Sequence, residues 1–366
     1  MRLDGDAQFL LGLAMGLGAG WLLARGARSR ADAAEVNSPA GRCGPVHRAL
    51  CERLHGSAFG PFHGLARRLL PAQDHSYAHT NLPAEFLRAL FARLRPAFLV
   101  EVGSFKGGSA LRIAGAAAAA LPAPAPKPCL LCVDTFLGDA AMWLDHNAGW
   151  RDWLMLEHGA PRVYWQFLAN VEAMSDVILP LPLASMCALR ALQRLAARED
   201  IPLADFVYLD SAHEKGETLL EIRQAFRLLR AGGVLLGDDL DWPAVESDLH
   251  AFLDEVGPEA VAGCGDELLS GVPGLLFRSA PAPGYWVVDS SPRQWLLRKA
   301  PAQGSQAELG ALRAALGAEQ DGEAPAEYVP LTDADREALA LYDEAVALSE
   351  SGRLREAMAV FKQAAG

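Results

Sequence analysis

The sequence is short of cysteine and has no dense positive charge. Six cysteines in 366 residues (Cys43, Cys51, Cys129, Cys132, Cys187 and Cys264) are too few and too scattered for a disulfide framework. Reduced thiols in a cytosolic-type compartment are the expectation. Cys129 and Cys132 form a CxxC, but it lies inside the apolar run PCLLCVD. No second Cys/His pair completes a tetrahedral site, so both read as small buried strand residues. The formal net charge is −12 with no Lys/Arg stripe, and a nucleic-acid partner is therefore not expected.

Near the start, AQFLLGLAMGLGAGWLLA (7–24) is uncharged and is followed by Arg25, Arg28 and Arg30. It is just long enough to span a bilayer, and the basic flank would keep the remainder cytoplasmic. Residues 1–30 are accordingly a candidate membrane anchor; a signal or transit peptide and a soluble appendage stay open, the last making the protein cytoplasmic. Residues 31–75 carry short helical patterns such as VHRALCERLHG.

From residue 76 to 290 the chain alternates amphipathic helices with apolar runs. Strands are expected at 97–103, 129–134, 176–182, 205–210, 232–239, 274–279 and 285–289. Continuous apolar strands joined by crossover helices predict an α/β fold, a doubly wound, seven-stranded, mainly parallel sheet of Rossmann-like type. The N-terminal hydrophobic helix and a C-terminal helical hairpin flank it. Residues 291–330, with PAQGSQ and GAEQDGEAPAE, read as a linker. Residues 331–366 resemble one tetratricopeptide repeat, carried by the G-R-x-x-E-A-M turn and helix. One repeat cannot bury its own face, so a protein partner, or docking on the main domain, is expected.

The chemistry-bearing residues fall where parallel strands end, which is where open α/β sheets bind ligands. In VEVGSFKGGSALRIA, Glu101 closes a strand and Gly103 to Ser109 turn into a helix. The G-S-F-K-G-G order lacks the G-x-G-x-x-G phosphate fingerprint, and a Glu ahead of the first glycine suits a cofactor with a cationic amino acid. Asp134 ends the next strand, where an acid can accept both ribose hydroxyls or cap a helix. Ser185 follows the third, placed to meet an adenine edge or to cap the next helix. Asp210, Asp238 and Asp239 end two further strands. If those strands are adjacent, about 4.8 Å apart, the acids converge, and a divalent cation would relieve their repulsion. An all-oxygen set suits Mg²⁺, with Mn²⁺ or Ca²⁺ as alternatives. His213 sits one turn beyond Asp210 as a candidate general base, with Lys215 as its competitor.

Together VEVGSFKGGSALRIA, LDSAHEKGETLLEIRQAFRLLRAGGVLLGDD and the Asp134 position resemble class I S-adenosylmethionine-dependent methyltransferases. The nearest patterns are the metal-dependent O-methyltransferases of the catechol type and those that methylate macrolide sugars. The resemblance implies that Glu101, Gly103, Ser104, Phe105, Gly107, Ser109, Asp134 and Ser185 hold the cofactor, with Asp210, Ser211 and Ala212 beside it. It also implies that Asp210, Asp238 and Asp239 hold the metal. Catechol-type enzymes have a Lys at the base position and an Asn as last ligand; His213 and Asp239 here point to the sugar-methylating group. The substrate expected is a small hydroxylated molecule, with His75, Tyr77, His79, Trp165, Gln166 and Asn170 as acceptor candidates. Two rivals stand beside this reading, an NAD-dependent oxidoreductase and a non-catalytic, membrane-attached interaction protein built on a decayed methyltransferase domain.

Overall fold

The computed structural model describes residues 43–56, 61–62, 82–121, 124–211, 213–301, 305–322 and 360. Segments 7–24 and 63–81, with His75, Tyr77 and His79, lie outside the described residues, as does the 331–366 hairpin apart from Val360. No helix among the described residues is long and apolar enough to cross a membrane.

Two helices, α1 (Pro45–His55) and α2 (Ala84–Leu94), precede the sheet. In α2 the buried residues Phe86, Leu87, Leu90, Phe91 and Leu94 recur at helical spacing, so one face is apolar. The sheet then builds in the alternation expected. β1 (Phe98–Val102), β2 (Cys129–Asp134), β3 (Ile178–Pro182), β4 (Ala204–Leu209) and β5 (Leu229–Gly237) pair in parallel, in the spatial order β3-β2-β1-β4-β5. Their crossovers are α3 (Gly108–Ala120), the segment holding α4 (Ala140–Trp143) and α5 (Val163–Val171), then α6 (Ser185–Ala197) and α7 (Glu217–Leu228). Cys129 and Cys132 are buried in β2 as plain strand residues.

The far edge departs from expectation. The sheet has eight strands, continuing from β5 through β8 (Gln294–Arg298) and β7 (Tyr285–Val288) to β6 (Leu275–Arg278), and these last pairings are antiparallel. β8 and the helix α9 (Ser305–Gly322) lie in the stretch read as linker. QWLLR is short and sits between proline-containing loops, so local pattern marks it weakly; tertiary pairing makes it a strand. Its anchor is Trp295, fully buried and lying over Gly237 of β5. A Cβ on Gly237 would meet the indole at 2.0 Å, so only glycine lets this ring reach the sheet. The helix α8 (Pro243–Val256) follows β5 and starts on a proline, whose missing N–H costs nothing in a first turn.

Register decides where function can be. Val102 of β1 pairs with Val133 of β2 and Leu209 of β4, and Leu209 pairs with Gly237 of β5. The next residue on each strand is Gly103, Asp134, Asp210 or Asp238. One row of the sheet therefore delivers all four to the same carboxyl-terminal edge. The chain divides into two units, Met1–Glu308 and Leu309–Gly366; the sheet and its edge belong to the first.

Candidate active site

Above that edge lies a cleft of about 550 Å³. Its floor is the turn from β1 into α3. Gly103 has φ 87°, and a Cβ there would fall 1.9 Å from the Asp210 carbonyl oxygen; the ends of β1 and β4 approach too closely for any side chain. Phe105 also adopts a left-handed conformation, at φ 44°, which an aromatic residue rarely accepts without outside support. Asp134 supplies it. Its Oδ2 accepts from the amides of Ser104 at 2.9 Å and Phe105 at 2.7 Å, and its Oδ1 from Phe136 at 2.6 Å. Burial pushes the Asp134 carboxyl up, and the three amide bonds pull against that.

Glu101 has a different place from the one expected. Its side chain is fully buried beneath the turn and does not line the cleft. Ser104 Oγ donates to Oε2 at 2.6 Å, whereas Oε1 is buried without a hydrogen-bond partner. Burial pushes this carboxyl up to about 7. It braces the loop from below. Gly107 likewise turns away from the cleft, its missing Cβ leaving room for Val171 and Phe167. Gln166 and Asn170, expected near an acceptor, are buried bracing residues: Gln166 donates to Asn170 at 3.0 Å, and Asn170 donates to the Lys106 carbonyl at 2.8 Å. Trp165 borders a separate hollow with Glu157 and Arg162.

The acids divide between two tasks. The buried Tyr208 hydroxyl donates to Asp238 Oδ2 at 3.0 Å and lies 3.3 Å from Asp210 Oδ2, while Asp238 Oδ1 accepts the Asp239 amide at 2.9 Å. Gln294 of β8 adds a further side-chain hydrogen bond to Asp238. Asp238 is thus held within the fold rather than presented with the other two. His213 takes its place: ligand atoms of Asp210, His213 and Asp239 all lie within 4.8 Å of one another, a grouping able to hold a metal ion. This grouping differs from the expected trio of Asp210, Asp238 and Asp239 in having His213 in place of Asp238.

Burial raises Asp210 well above the usual carboxylate range, and the charges of Asp238, Asp239 and Glu101 add to the effect. His213 Nε2 lies 2.7 Å from Asp239 Oδ2. Burial works to lower the His213 pKa, but the hydrogen bond and charge of Asp239, helped by Asp238 and Asp139, outweigh it and the pKa is raised. Trp242 covers the imidazole, ring centroids 5.2 Å apart, and is itself 43% exposed. Lys215 is exposed on the loop and outside the cleft lining, which leaves His213 as the base candidate the geometry retains.

Of the residues expected to hold a cofactor, Gly103, Ser104, Phe105, Ser109, Asp134, Ser185, Asp210 and Ser211 line the cleft. Ala212 lies outside the described residues. Among the lining residues that went unread in the sequence, two are charged and buried. Glu221 is only 5% exposed, accepts Ser211 Oγ at 2.7 Å and is also bonded by Ser185. Its signal was a glutamate on the inner stripe of α7, beside Thr218 and Ile222. Lys106, in the middle of the Gly-rich turn, is the other.

A doubly wound sheet with a glycine turn, an acid one strand over and a further acid cluster at its carboxyl-terminal edge is an arrangement in which open α/β proteins bind ligands. Residues 100–240 match the model of a family described as a methyltransferase domain, and the match runs from β1 to just past the paired acids. The chain thus carries a segment similar to methyltransferase domains. No curated protein matches it. Among solved structures it is similar to an O-methyltransferase from Bacillus cereus in complex with SAH, at 16% identity over 64% of this chain and 94% of that one, TM-score 0.36. It is similar also to the O-methyltransferase TomG from Streptomyces achromogenes, involved in tomaymycin synthesis and in complex with SAM, at 17% identity over 63% and 92%, TM-score 0.35. A third is CalS11, a TDP-rhamnose 3′-O-methyltransferase of calicheamicin biosynthesis, at 16% identity over 69% and 92%, TM-score 0.35. Likeness at this level carries no weight of its own.

Proposed function

We propose that the protein is an S-adenosylmethionine-dependent O-methyltransferase, assisted by a divalent cation, that acts on a hydroxyl of a small molecule or sugar. The observation that carries this is the register row that brings the Gly103 turn, Asp134 and Asp210 to one edge, with His213 and Asp239 beside them.

The residues present fit both groups. Asp134 and Ser185 would hold the nucleoside, the 103–109 turn the amino-acid end, and Asp210 with Asp239 the cation. S-adenosylmethionine supplies a methyl group on a sulfonium, and the cation supplies acidification and positioning of the acceptor hydroxyl. The unrelieved repulsion among the buried acids supports a cation there, because a positive charge would stabilise them as carboxylates.

His213 would take the acceptor's proton at Nδ1, because Nε2 is the nitrogen that donates to Asp239 Oδ2 at 2.7 Å; Asp239 thereby orients the ring and stabilises the imidazolium that forms. Tyr208 keeps Asp238 fixed, so Asp239 approaches His213 from a rigid strand end. Holding donor and acceptor in line within the cleft accounts for much of the rate. Trp153, which lines the cleft, would offer an aromatic face to the acceptor. Residues 7–24 remain proposed as a membrane attachment that leaves the catalytic domain cytoplasmic, and 331–366 as a partner-binding hairpin.

The test is a screen of small hydroxylated acceptors with donor carrying a labelled methyl group, with added Mg²⁺ or Mn²⁺ and with a chelator. Label should enter an ether oxygen on at least one acceptor, and chelation should suppress it. Transfer to nitrogen or carbon alone, or transfer indifferent to the chelator, would remove the corresponding part of the proposal.

A further inference from the structure

Exposed apolar side chains gather at one end of the sheet. Among the described residues eight large ones are exposed, and seven of these lie on segments that follow the carboxyl ends of the parallel strands; the eighth, Leu276, is on the edge strand β6. Three of the seven form a patch in the crossover from β2. Leu137 is 54% exposed, Trp143 40% and Leu144 76%. Hydrogen bonds fix this segment. Asp139 Oδ1 caps α4 by accepting the Met142 amide at 2.7 Å, and Trp143 Nε1 donates to the Leu137 carbonyl at 2.8 Å. Arg151 clasps the Trp143 carbonyl through Nε at 3.0 Å and Nη2 at 2.8 Å. Contiguous apolar surface held in the open in this way marks a place that a ligand covers.

The patch borders the end of the cleft where the acceptor reacts. Met142 and Trp153 of the same crossover line the cleft, as His213 does, and Asp139 is near enough for its charge to act on the imidazole. The cleft volume of about 550 Å³ lies within the range of about 300–1,000 Å³ that one drug-sized ligand fills. Methyl donor and acceptor have to share it. The reacting head of an acceptor then fits beside the donor, and the remainder lies outside, across the rim.

Charge narrows what that remainder is. The crossover carries Asp139, Asp145 and Asp152, while Arg151 is turned to the Trp143 carbonyl and Arg162 to Glu157. With a formal net charge of −12 on the chain, an anionic ligand or an anionic lipid surface is opposed. A protein seated on the patch would cover the mouth that both substrates use. An apolar chain carried by the acceptor itself meets both conditions.

We propose that the acceptor is a neutral amphiphile: its hydroxylated head enters the cleft to reach His213, and its alkyl chain lies outside on Leu137, Trp143 and Leu144. This rests on the methyl-transfer reading above and names the substrate class within it.

The test titrates methyl and octyl gallate, and methyl and octyl β-glucoside as a sugar-headed pair, into full-length protein saturated with S-adenosylhomocysteine, all below their micelle concentrations. In the wild type the octyl member of at least one pair should bind roughly 10- to 100-fold more tightly than its methyl partner. A fully buried methylene is worth about fourfold, and a surface patch covers only part of the chain. Trp143→Ala combined with Leu144→Ser should cut that ratio below about threefold, with S-adenosylhomocysteine titration reporting that the cleft is folded. Leu276→Ser, which removes an exposed leucine on β6, should leave the ratio as it is. Equal affinity within both pairs, or no binding of any of the four compounds, would overturn the proposal. A chain preference that survives the double substitution, or that falls as far in Leu276→Ser, would overturn it too. Wild-type protein that does not bind S-adenosylhomocysteine would instead remove the methyl-donor reading and the acceptor role with it, whereas the octyl preference reports on the patch independently.

Discussion

His213 Nε2 and Asp239 Oδ2 are 2.7 Å apart at the ends of neighbouring strand-to-helix connections, and this pair is the hinge of the proposed chemistry. Asp239 is held there by a left-handed turn at φ 54° directly after Asp238, which Tyr208 and Gln294 fix from inside the sheet. The geometry gives the imidazole both an orientation and a raised proton affinity.

Asp239→Asn should lower the His213 pKa, because the amide removes the charge and weakens the hydrogen bond that raise it while burial continues to act downward. NMR titration of the imidazole in metal-free protein reads this directly. Turnover should fall on the order of 10²-fold, the scale of a misplaced general base. An unmoved His213 titration would show that Asp239 does not control it.

Glu101 predicts a pH-dependent stability. Its carboxyl titrates near 7 in the fold against 4.5 as the ordinary value, so the folded state binds more protons between those limits. The stabilising contribution is full below the unfolded pKa and is lost as pH rises through the folded one. Denaturant unfolding of ligand-free protein should show a loss on the order of 3 kcal/mol from Glu101 across that window. Glu101→Gln should flatten the profile there. An identical slope in both proteins would assign the titration to another group.

Gly103→Ala should destabilise the protein and abolish cofactor binding together. The new methyl would have to occupy space 1.9 Å from the Asp210 carbonyl oxygen, at a φ of 87° that L residues rarely adopt. Backbone strain of this kind costs roughly 1–3 kcal/mol, before the displacement of Asp210 is counted. Thermal unfolding and S-adenosylhomocysteine titration of the same preparation check both effects.

Tyr208→Phe tests the inner support of the acid cluster. Removing the hydroxyl leaves Asp238 without one of its buried donors, a loss of about 1–3 kcal/mol in unfolding free energy. Cation affinity, followed by Mn²⁺ binding, should fall as Asp239 loses its fixed neighbour. Full retention of both properties would show that Gln294 and the Asp239 amide suffice.

Much of this was legible in the chain because continuous apolar strands and their terminal acids are local signals. The five parallel strands, the Gly103 turn, Asp134 and the Asp210 to Asp239 grouping all follow from residue type at strand ends. What was not legible depends on neighbours distant in sequence. QWLLR becomes a strand only through Gly237 and the β5 edge, and without β8 there is no Gln294 to show that Asp238 faces inward. Glu101 reads as a ligand contact because a carboxylate near a strand end is expensive to bury; the Ser104 hydroxyl offsets part of that cost, and burial raises the pKa. Glu221 and Lys106 went unread because a helix glutamate and a loop lysine are ordinarily solvated, and only the assembled cleft buries them.

The central claim is that the cleft over β1, β2 and β4 binds an adenosyl methyl donor. Calorimetric titration of the purified protein with S-adenosylmethionine and with NAD, each with and without Mg²⁺, tests it most directly. The account predicts one saturable site for S-adenosylmethionine, weakened by Asp134→Ala, and no site for NAD. Binding of NAD, or no binding of S-adenosylmethionine under either condition, would contradict it.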